Sequence, residues 1–166
     1  MASIRTMTEA DWPQVAEIYR EGIETGNATF ETVVPMYDKW DAAHARECRI
    51  VACMGEKIIA GWAALSPVSS RHVYAGVAEV SVYVGEKCRR QNIGQMLLNA
   101  LIETSEKRGY WMLQSSIFEG NAASVAVHHK CGFRTVGFRE CIGRDKFGKW
   151  HNTLLLERRS ARVGLG

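Results

Sequence analysis

The stretch Glu79–Arg108, EVSVYVGEKCRRQNIGQMLLNALIETSEKR, decides the fold of this 166-residue chain. In Glu79–Val84 every second residue is a valine, which is the period of a half-buried β-strand. Apolar residues then recur at helical spacing from Ile93 onward, and Gly109 is a suitable end for that helix. The stretch therefore predicts a strand, a turn and a helix in direct succession.

The turn between this strand and this helix, Arg89–Gly94, has the sequence RRQNIG and is basic. The first N–H groups of a helix have no intrahelical partner, and the helix dipole places positive charge at the same end. A basic turn that leads into a helix therefore predicts a phosphate site. The chain has neither the Gly-Lys-Ser/Thr of a Walker loop nor the GxGxxG of a dinucleotide site. A solvated turn without a ligand remains the alternative.

Length and composition predict one soluble domain, residues 1–166. The net charge of +3 is too small to indicate nucleic-acid binding, and apolar runs such as Ile58–Leu65 are too short to span a bilayer. The first residues, MASIRTMTEADW, contain no apolar signal region, so we expect a cytoplasmic protein. The five cysteines have no metal-ligand spacing and their odd number argues against a complete disulfide set, so we expect no metal.

The remaining elements alternate only in part between strand and helix, which predicts a mixed sheet in an α/β or α+β arrangement. Either Thr8 or Asp11 is expected to cap the first helix, and the tail from Ser160 to 166 is expected to be frayed. The other predicted strands are Ile4–Met7, Ile50–Met54, Ile58–Leu65, Trp111–Ile117, Thr135–Ile142 and Trp150–Glu157, and the other predicted helices are Tyr37–Glu47 and Asn121–Lys130.

The turn Arg89–Gly94 resembles the pyrophosphate loop of the GCN5-related N-acetyltransferases (GNAT family), with Asn92 in place of the first glycine. Asn tolerates the left-handed backbone that such a glycine adopts. The segment 121–133, NAASVAVHHKCGF, resembles the second half of the same signature. The resemblance implies the GNAT fold, a mixed central β-sheet of about seven strands flanked by about four helices, with acetyl-CoA as cosubstrate. The implied cofactor-binding residues are Val82, Tyr83, Val84, Arg89, Arg90, Gln91, Asn92, Ile93, Gly94, Gln95, Asn121 and Ser124.

Residues 3–157 resemble one branch of that family more closely, the phosphinothricin and methionine sulfoximine acetyltransferases, which acetylate small glutamate-like amino acids. The shared segments are Ala28–Thr32, Arg71 with Tyr74, the strand at Glu79, His128, and Lys146–His151. The branch has Asp where Asn152 stands, and some members have Arg where Ala75 stands. The resemblance implies a homodimer with Phe147–Trp150 near the interface.

An acetyl acceptor amine is protonated at neutral pH, so a base must remove a proton before the amine can attack a thioester. Glu79 projects from the strand that leads into the loop and is our candidate for that base, with His128 as an auxiliary. An ordinary surface histidine is the alternative interpretation of His128. The candidate substrate-binding residues are Phe30, Glu31, Trp62, Arg71 and Tyr74, although a solvated Arg71 and a core position for Trp62 and Tyr74 remain open.

The expected function is transfer of acetyl from acetyl-CoA to the amino group of a small amino acid or analogue. The alternatives are acetylation of a protein N-terminus or a polyamine, and a CoA-binding domain without catalysis. An acyl-cysteine mechanism through Cys88 or Cys131 is less favoured, because no motif places a histidine beside either thiol.

Overall fold

A computed structural model describes residues 1–166. The chain forms one seven-stranded mixed sheet and four α-helices, as expected from the sequence. None of the helices has the length and apolar character needed to cross a membrane. The strands are β1 (Ala2–Thr6), β2 (Arg49–Met54), β3 (Ile58–Pro67), β4 (Val77–Val84), β5 (Met112–Phe118), β6 (Arg134–Arg144) and β7 (Trp150–Arg159). The helices are α1 (Trp12–Glu24), α2 (Tyr37–Ala43), α3 (Ile93–Lys107) and α4 (Ala122–Lys130).

The strand order is β1-β2-β3-β4-β5-β7-β6, and β4 and β5 are its only parallel neighbours. These two strands pair at only three positions, from Val77↔Met112 to Glu79↔Gln114. Both strands continue beyond that point without pairing to each other. A cleft therefore opens in the middle of the sheet, between residues 80–84 of β4 and 115–118 of β5.

Each face of the sheet carries its own core. Helices α3 and α4 pack over one face, with Leu97, Leu101 and Phe133 among the buried side chains. Helices α1 and α2 pack over the other face, where Trp40 and Trp62 are buried. Because side chains alternate along a strand, the polar residues of β4 on this second face, starting with Glu79, point toward the α1 and α2 side.

Helix α1 begins through a 3-10 turn, and both residues that the sequence offered as caps take part. Asp11 is the N-cap residue of α1, and its carboxylate accepts hydrogen bonds from the backbone N–H of Thr8 at 2.8 Å and from Arg5 at 2.7 and 2.8 Å. The Arg5 guanidinium holds the pKa of Asp11 down at about 2. This pairing fixes the start of the helix whose other end reaches the cleft.

The main differences from the sequence expectation are at the end of α2 and at the C-terminus, whereas the strand ends differ by one or two residues. Helix α2 ends at Ala43 rather than Glu47, because His44 adopts an extended backbone and its ring Nδ1 donates to the carbonyl of Trp40. At the C-terminus, Ser160 is buried rather than frayed. Its N–H donates to the carbonyl of Trp111 at 2.8 Å and its hydroxyl to Glu106 at 2.9 Å, which holds the end of β7 against β5 and α3.

Candidate active site

The basic loop lines a cavity of about 460 Å³ where β4 ends and α3 begins. Arg89 and Arg90 come from the loop, and Lys130 from the end of α4. Three cations around one cavity, together with the N-terminus of a 15-residue helix, form an anion-binding environment. The strand, turn and helix predicted at Glu79–Arg108 therefore build this wall as expected.

Asn92 is the residue that lets the loop turn into α3. Its backbone is left-handed, with φ 60° and ψ 12°, and it is the N-cap residue of the helix. Asn adopts this conformation more readily than most residues, which explains how the loop forms without the usual glycine. Arg90 is also left-handed, with φ 61°, and has no such preference. The loop thus holds one compatible and one strained residue next to the cavity.

All of the predicted cofactor-binding residues except Gln91 line this cavity. Gln91 does not line the cavity, and its side-chain amide donates to the carbonyl of Lys87 at 3.4 Å. The predicted cofactor-binding set lacks several residues that line this cavity. Gly22, Thr25, Asn27 and Ala28 come from the end of α1 and the segment after it, and no spacing motif marks residues 22–27. Cys88 precedes the loop, and Lys130 ends α4.

A second cavity, of about 450 Å³, lies along the cleft between β4 and β5. Its walls come from both diverging strands, from the segment 28–31, from the end of α2 and from α4. Six residues line both cavities, and we call their location the junction. The junction residues are Ala28, Val82, Tyr83, Asn121, Ser124 and His128.

Glu79 lines the second cavity and is half-buried. It lies at the last paired position of β4 and β5, opposite Gln114, whose amide donates to the Glu79 carboxylate at 3.1 Å. On its other side it pairs with Ser66 of β3. The carboxylate is therefore held by a neutral donor at the apex of the cleft, without a cation to neutralise it.

His128 is 4% exposed and lies at the junction, so the surface-histidine interpretation is wrong. A carbonyl oxygen can only accept, so Nδ1 carries the proton in its 2.7 Å hydrogen bond with the carbonyl of Ser124. Burial lowers the pKa of His128, so the ring is neutral at pH 7. Its Nε2 has no partner within the chain and is therefore an available proton acceptor. The neighbouring His129 is exposed.

The predicted substrate-binding residues divide into two groups. Phe30 and Glu31 line the second cavity, and the ring of Phe30 packs on Phe118 at a centroid distance of 4.5 Å. The other three lie outside it. Trp62 is only 1% exposed within the core, because the alternation of β3 points it toward α1 and α2.

Arg71 and Tyr74 are exposed on a 3-10 turn that projects beyond the ends of β3 and β4. The Arg71 guanidinium lies 5.4 Å from the centre of the Tyr74 ring. Both side chains are therefore packed on each other and do not line the second cavity.

The second cavity carries negative charge and no positive charge. Its carboxylates are Glu31 and Glu79, and no Lys or Arg lines it. Burial raises the pKa of Tyr83 to about 12, so this junction hydroxyl is neutral at pH 7. A cavity of this composition suits a positively charged ligand such as a protonated amine.

The two candidate nucleophiles, Cys88 and Cys131, differ in burial and in their position relative to the first cavity. Cys88 is half-buried and lines the first cavity, whereas Cys131 is buried in the core between α3 and α4. Burial raises the pKa of Cys131, which is the opposite of what an activated thiol needs. No group of three or more His, Cys, Asp or Glu side chains is arranged to hold a metal ion.

The sequence of the chain is similar to those of known acetyltransferases. A family model described as the acetyltransferase (GNAT) family matches residues 9–133. An L-methionine sulfoximine/L-methionine sulfone acetyltransferase of Pseudomonas paraeruginosa is 33% identical over 154 residues, which cover 90% of this chain and 89% of that protein.

Two crystal structures are also similar. A phosphinothricin acetyltransferase from Sinorhizobium meliloti in complex with acetyl-CoA has a TM-score of 0.88 and 25% identity, over 99% of this chain and 91% of that one. A ribosomal-protein-alanine N-acetyltransferase from Brucella melitensis has a TM-score of 0.85 and 29% identity, over 95% of this chain and 99% of that one.

Proposed function

Because the chain belongs to the acetyltransferase (GNAT) family, we propose that it acetylates the amino group of a small amino acid or amino-acid analogue. Acetyl-CoA is the cosubstrate, as in the similar phosphinothricin acetyltransferase complex. One observation carries the proposal: a basic cavity at a helix N-terminus meets a second, acidic cavity at a shared junction. The first suits the phosphates of acetyl-CoA, and the second suits a protonated amine.

The cofactor cavity, as we now call the first cavity, binds acetyl-CoA through its loop. Arg89, Arg90 and the free N–H groups at the start of α3 pair with phosphate oxygens. The thioester then lies at the junction. There the backbone N–H groups of β4 beyond Glu79, which have no β5 partner, are suited to polarise the thioester carbonyl.

The acceptor cavity, as we now call the second cavity, binds the amine and removes its proton. Glu79 is the principal proton acceptor, directly or through a water molecule, and the freed amine attacks the thioester carbonyl. His128 is the auxiliary: its unprotonated Nε2 lies at the junction, where it takes a proton and returns it to the departing thiolate. Glu79 in the acceptor cavity therefore removes the proton from the amine, and His128 at the junction returns a proton to the thiolate.

An acceptor panel tests the proposed function. Release of the CoA thiol from acetyl-CoA is followed with a thiol reagent in the presence of methionine sulfoximine, methionine sulfone, phosphinothricin, a polyamine and a peptide that begins with alanine. We expect turnover with the amino-acid analogues. A peptide N-terminus is the second candidate, because the Brucella melitensis structure has that activity in its name. Thiol release with none of the five would favour a CoA-binding domain without catalysis.

Gly94→Val is expected to raise the KM for acetyl-CoA by roughly tenfold, a loss of about 1.4 kcal/mol. Gly94 lines the cofactor cavity in a helical conformation, and an added Cβ would lie 3.6 Å from Val84, an ordinary contact. Because Gly94 does not have a positive φ, the substitution adds no backbone strain, and blocked approach to the cavity is the expected cause. Steady-state kinetics at varied acetyl-CoA concentration measures the change.

Gly94→Ala is the matched control for that variant. It should stabilise the protein by about 0.5–1 kcal/mol, because Ala replaces Gly within a helix. Its smaller side chain should raise the KM less than Val does. An unchanged KM in Gly94→Val would remove the loop from the acetyl-CoA site.

Arg71→Ala tests the prediction that Arg71 pairs with the carboxylate of the acceptor. Because Arg71 is exposed, the pair is worth about 0–1 kcal/mol, so the KM for an amino acid should rise by no more than about fivefold. The KM for the corresponding decarboxylated amine should not change. A loss of about 100-fold would instead indicate a desolvated pair, and equal losses for both acceptors would give Arg71 a purely structural role.

The proposal includes a homodimer in the cytoplasm. The turn Phe147–Trp150 carries two exposed aromatic side chains, with Phe147 64% and Trp150 50% exposed, which supports a contact surface there. The turn itself is held by the buried Asp145 carboxylate, which accepts from the N–H groups of Phe147 and Lys149. Sedimentation of the purified protein should give the mass of two chains, and a monomer would count against the dimer.

A further inference from the structure

His44 lines the acceptor cavity, although no sequence motif marks it. It follows the last residue of α2, and its ring stacks on Trp40 at a centroid distance of 4.3 Å and an angle of 22°. Its Nδ1 lies 2.7 Å from the carbonyl of Trp40. Because a carbonyl can only accept, Nδ1 carries the proton, and in the neutral ring Nε2 is left as an acceptor.

The surroundings keep this ring neutral. Burial lowers the pKa of His44, and the nearby Arg49 guanidinium acts in the same direction. Arg49 is buried, donates to the carbonyl of His44 at 2.6 Å and pairs with the Asp41 carboxylate. His44 therefore presents an unprotonated nitrogen near neutral pH.

The position of His44 is fixed relative to the catalytic cleft. The N–H of the next residue, Ala45, donates to the carbonyl of Leu65 at 2.8 Å, which ties this segment to the end of β3. The following β3 residue, Ser66, pairs with Glu79 across the sheet, and both line the acceptor cavity. His44 thus lies at the Glu79 end of the acceptor cavity and does not reach the junction.

The imidazole rings of His44 and His128 are held by the same kind of hydrogen bond. In each, Nδ1 donates to the carbonyl four residues earlier, at 2.7 Å in both cases. The His128 ring lies at the junction, where the thioester and the reacting amine meet. The His44 ring lines the acceptor cavity only, so it is placed to contact a part of the acceptor away from the thioester.

We propose that His44 is a positioning residue for the acceptor, and that its Nε2 accepts a hydrogen bond from an N–H or O–H group on the acceptor side chain. The inference rests on the proposed function. It predicts a preference for acceptors whose side chain carries a donor over acceptors of the same shape that lack one. Methionine sulfoximine and methionine sulfone form such a pair, because an N–H in the first stands where an oxygen stands in the second.

The test compares these two acceptors in the wild type and in two variants. His44→Asn keeps a side-chain N–H for the Trp40 carbonyl but has no acceptor at the Nε2 position. His44→Gln places an amide oxygen near that position. The wild type should have a KM for the sulfoximine roughly fivefold below that for the sulfone, the size of one neutral hydrogen bond. His44→Asn should bring the two values together, and His44→Gln should restore part of the difference.

The readouts separate this inference from the proposed function. Affinity for acetyl-CoA should stay near wild type in both variants, since His44 does not line the cofactor cavity. If the wild type acetylates both acceptors without preference, or if His44→Asn keeps the preference, the inference is overturned and the function stands. If the wild type acetylates neither acceptor, the proposed acceptor class is wrong. The role of His44 is then tested by the ratio of the two Kd values, measured by calorimetry on the CoA-loaded protein. A Kd for the sulfoximine below that for the sulfone, with the difference lost in His44→Asn, would support the inference, and equal Kd values would overturn it.

Discussion

Glu79→Gln is expected to lower kcat by about 10²–10⁴-fold, the usual cost of losing a general base. The replacement keeps the size of the side chain and a carbonyl oxygen that can accept from the Gln114 amide, which donates to Glu79 at 3.1 Å. It removes only the basic carboxylate. Affinity for acetyl-CoA should change little, because Glu79 lines the acceptor cavity and not the cofactor cavity. Single-turnover rates and acetyl-CoA titration measure the two quantities separately.

His128→Asn is the control for that assignment. Asn keeps a side-chain donor for the carbonyl of Ser124 but removes the Nε2 acceptor, and kcat should fall less than in Glu79→Gln. Burial lowers the pKa of His128 below 6.5, so the ring is neutral and basic above that lower value and becomes protonated only as the pH falls through it. The acidic limb of the rate profile should disappear in Glu79→Gln and persist in His128→Asn. The reverse pattern would make His128 the principal base.

Trp62→Ala is expected to destabilise the protein by about 3–5 kcal/mol, the cost of truncating a buried aromatic side chain. Trp62 is 1% exposed and packs edge-on against Trp40 and Tyr19. Its ring also stacks on the junction residue Tyr83 at a centroid distance of 4.9 Å. Chemical denaturation, followed by circular dichroism, measures the loss.

Trp62→Phe is the conservative control. The indole Nε1 is buried and has no partner within the chain, so the phenyl ring loses volume but no hydrogen bond, and the destabilisation should be smaller. The contrary result would be a Trp62→Ala protein with normal stability and a raised KM for the acceptor. That outcome would favour the substrate-binding role of Trp62 over the core position, two alternatives that the sequence left open.

Local sequence was enough to predict the basic cavity at the start of α3. The strand, loop and helix are consecutive, the strand and the helix have different hydrophobic periods, and free N–H groups are present at any helix N-terminus. Asn92 illustrates this, because its tolerance of a left-handed backbone is a property of one residue and was confirmed at φ 60°. The fold class followed from the same elements and from the resemblance that they carry.

The acceptor cavity was harder to predict because it depends on contacts between distant segments. Trp62 alternates with small residues in β3, and nothing in that pattern says which face of the sheet becomes core. Arg71 lies on a turn whose projection beyond the sheet depends on where β3 and β4 stop pairing. His44 lines the cavity only because α2 ends four residues earlier than its composition suggested, with the ring bonded back to Trp40.

The early separation of β4 from β5 also has a consequence for the protein without its cosubstrate. Between residues 80 and 84, the backbone groups of β4 that face β5 have no neighbouring strand, so a sheet edge lies in the interior of the molecule. Unpaired edges attract other extended chains and promote aggregation. A cosubstrate whose pantetheine arm carries amide groups can occupy that gap as a substitute strand. At 100 times its Kd, such a ligand stabilises the folded state by about 2.7 kcal/mol, so the enzyme is expected to be most resistant to heat and self-association when acetyl-CoA is abundant.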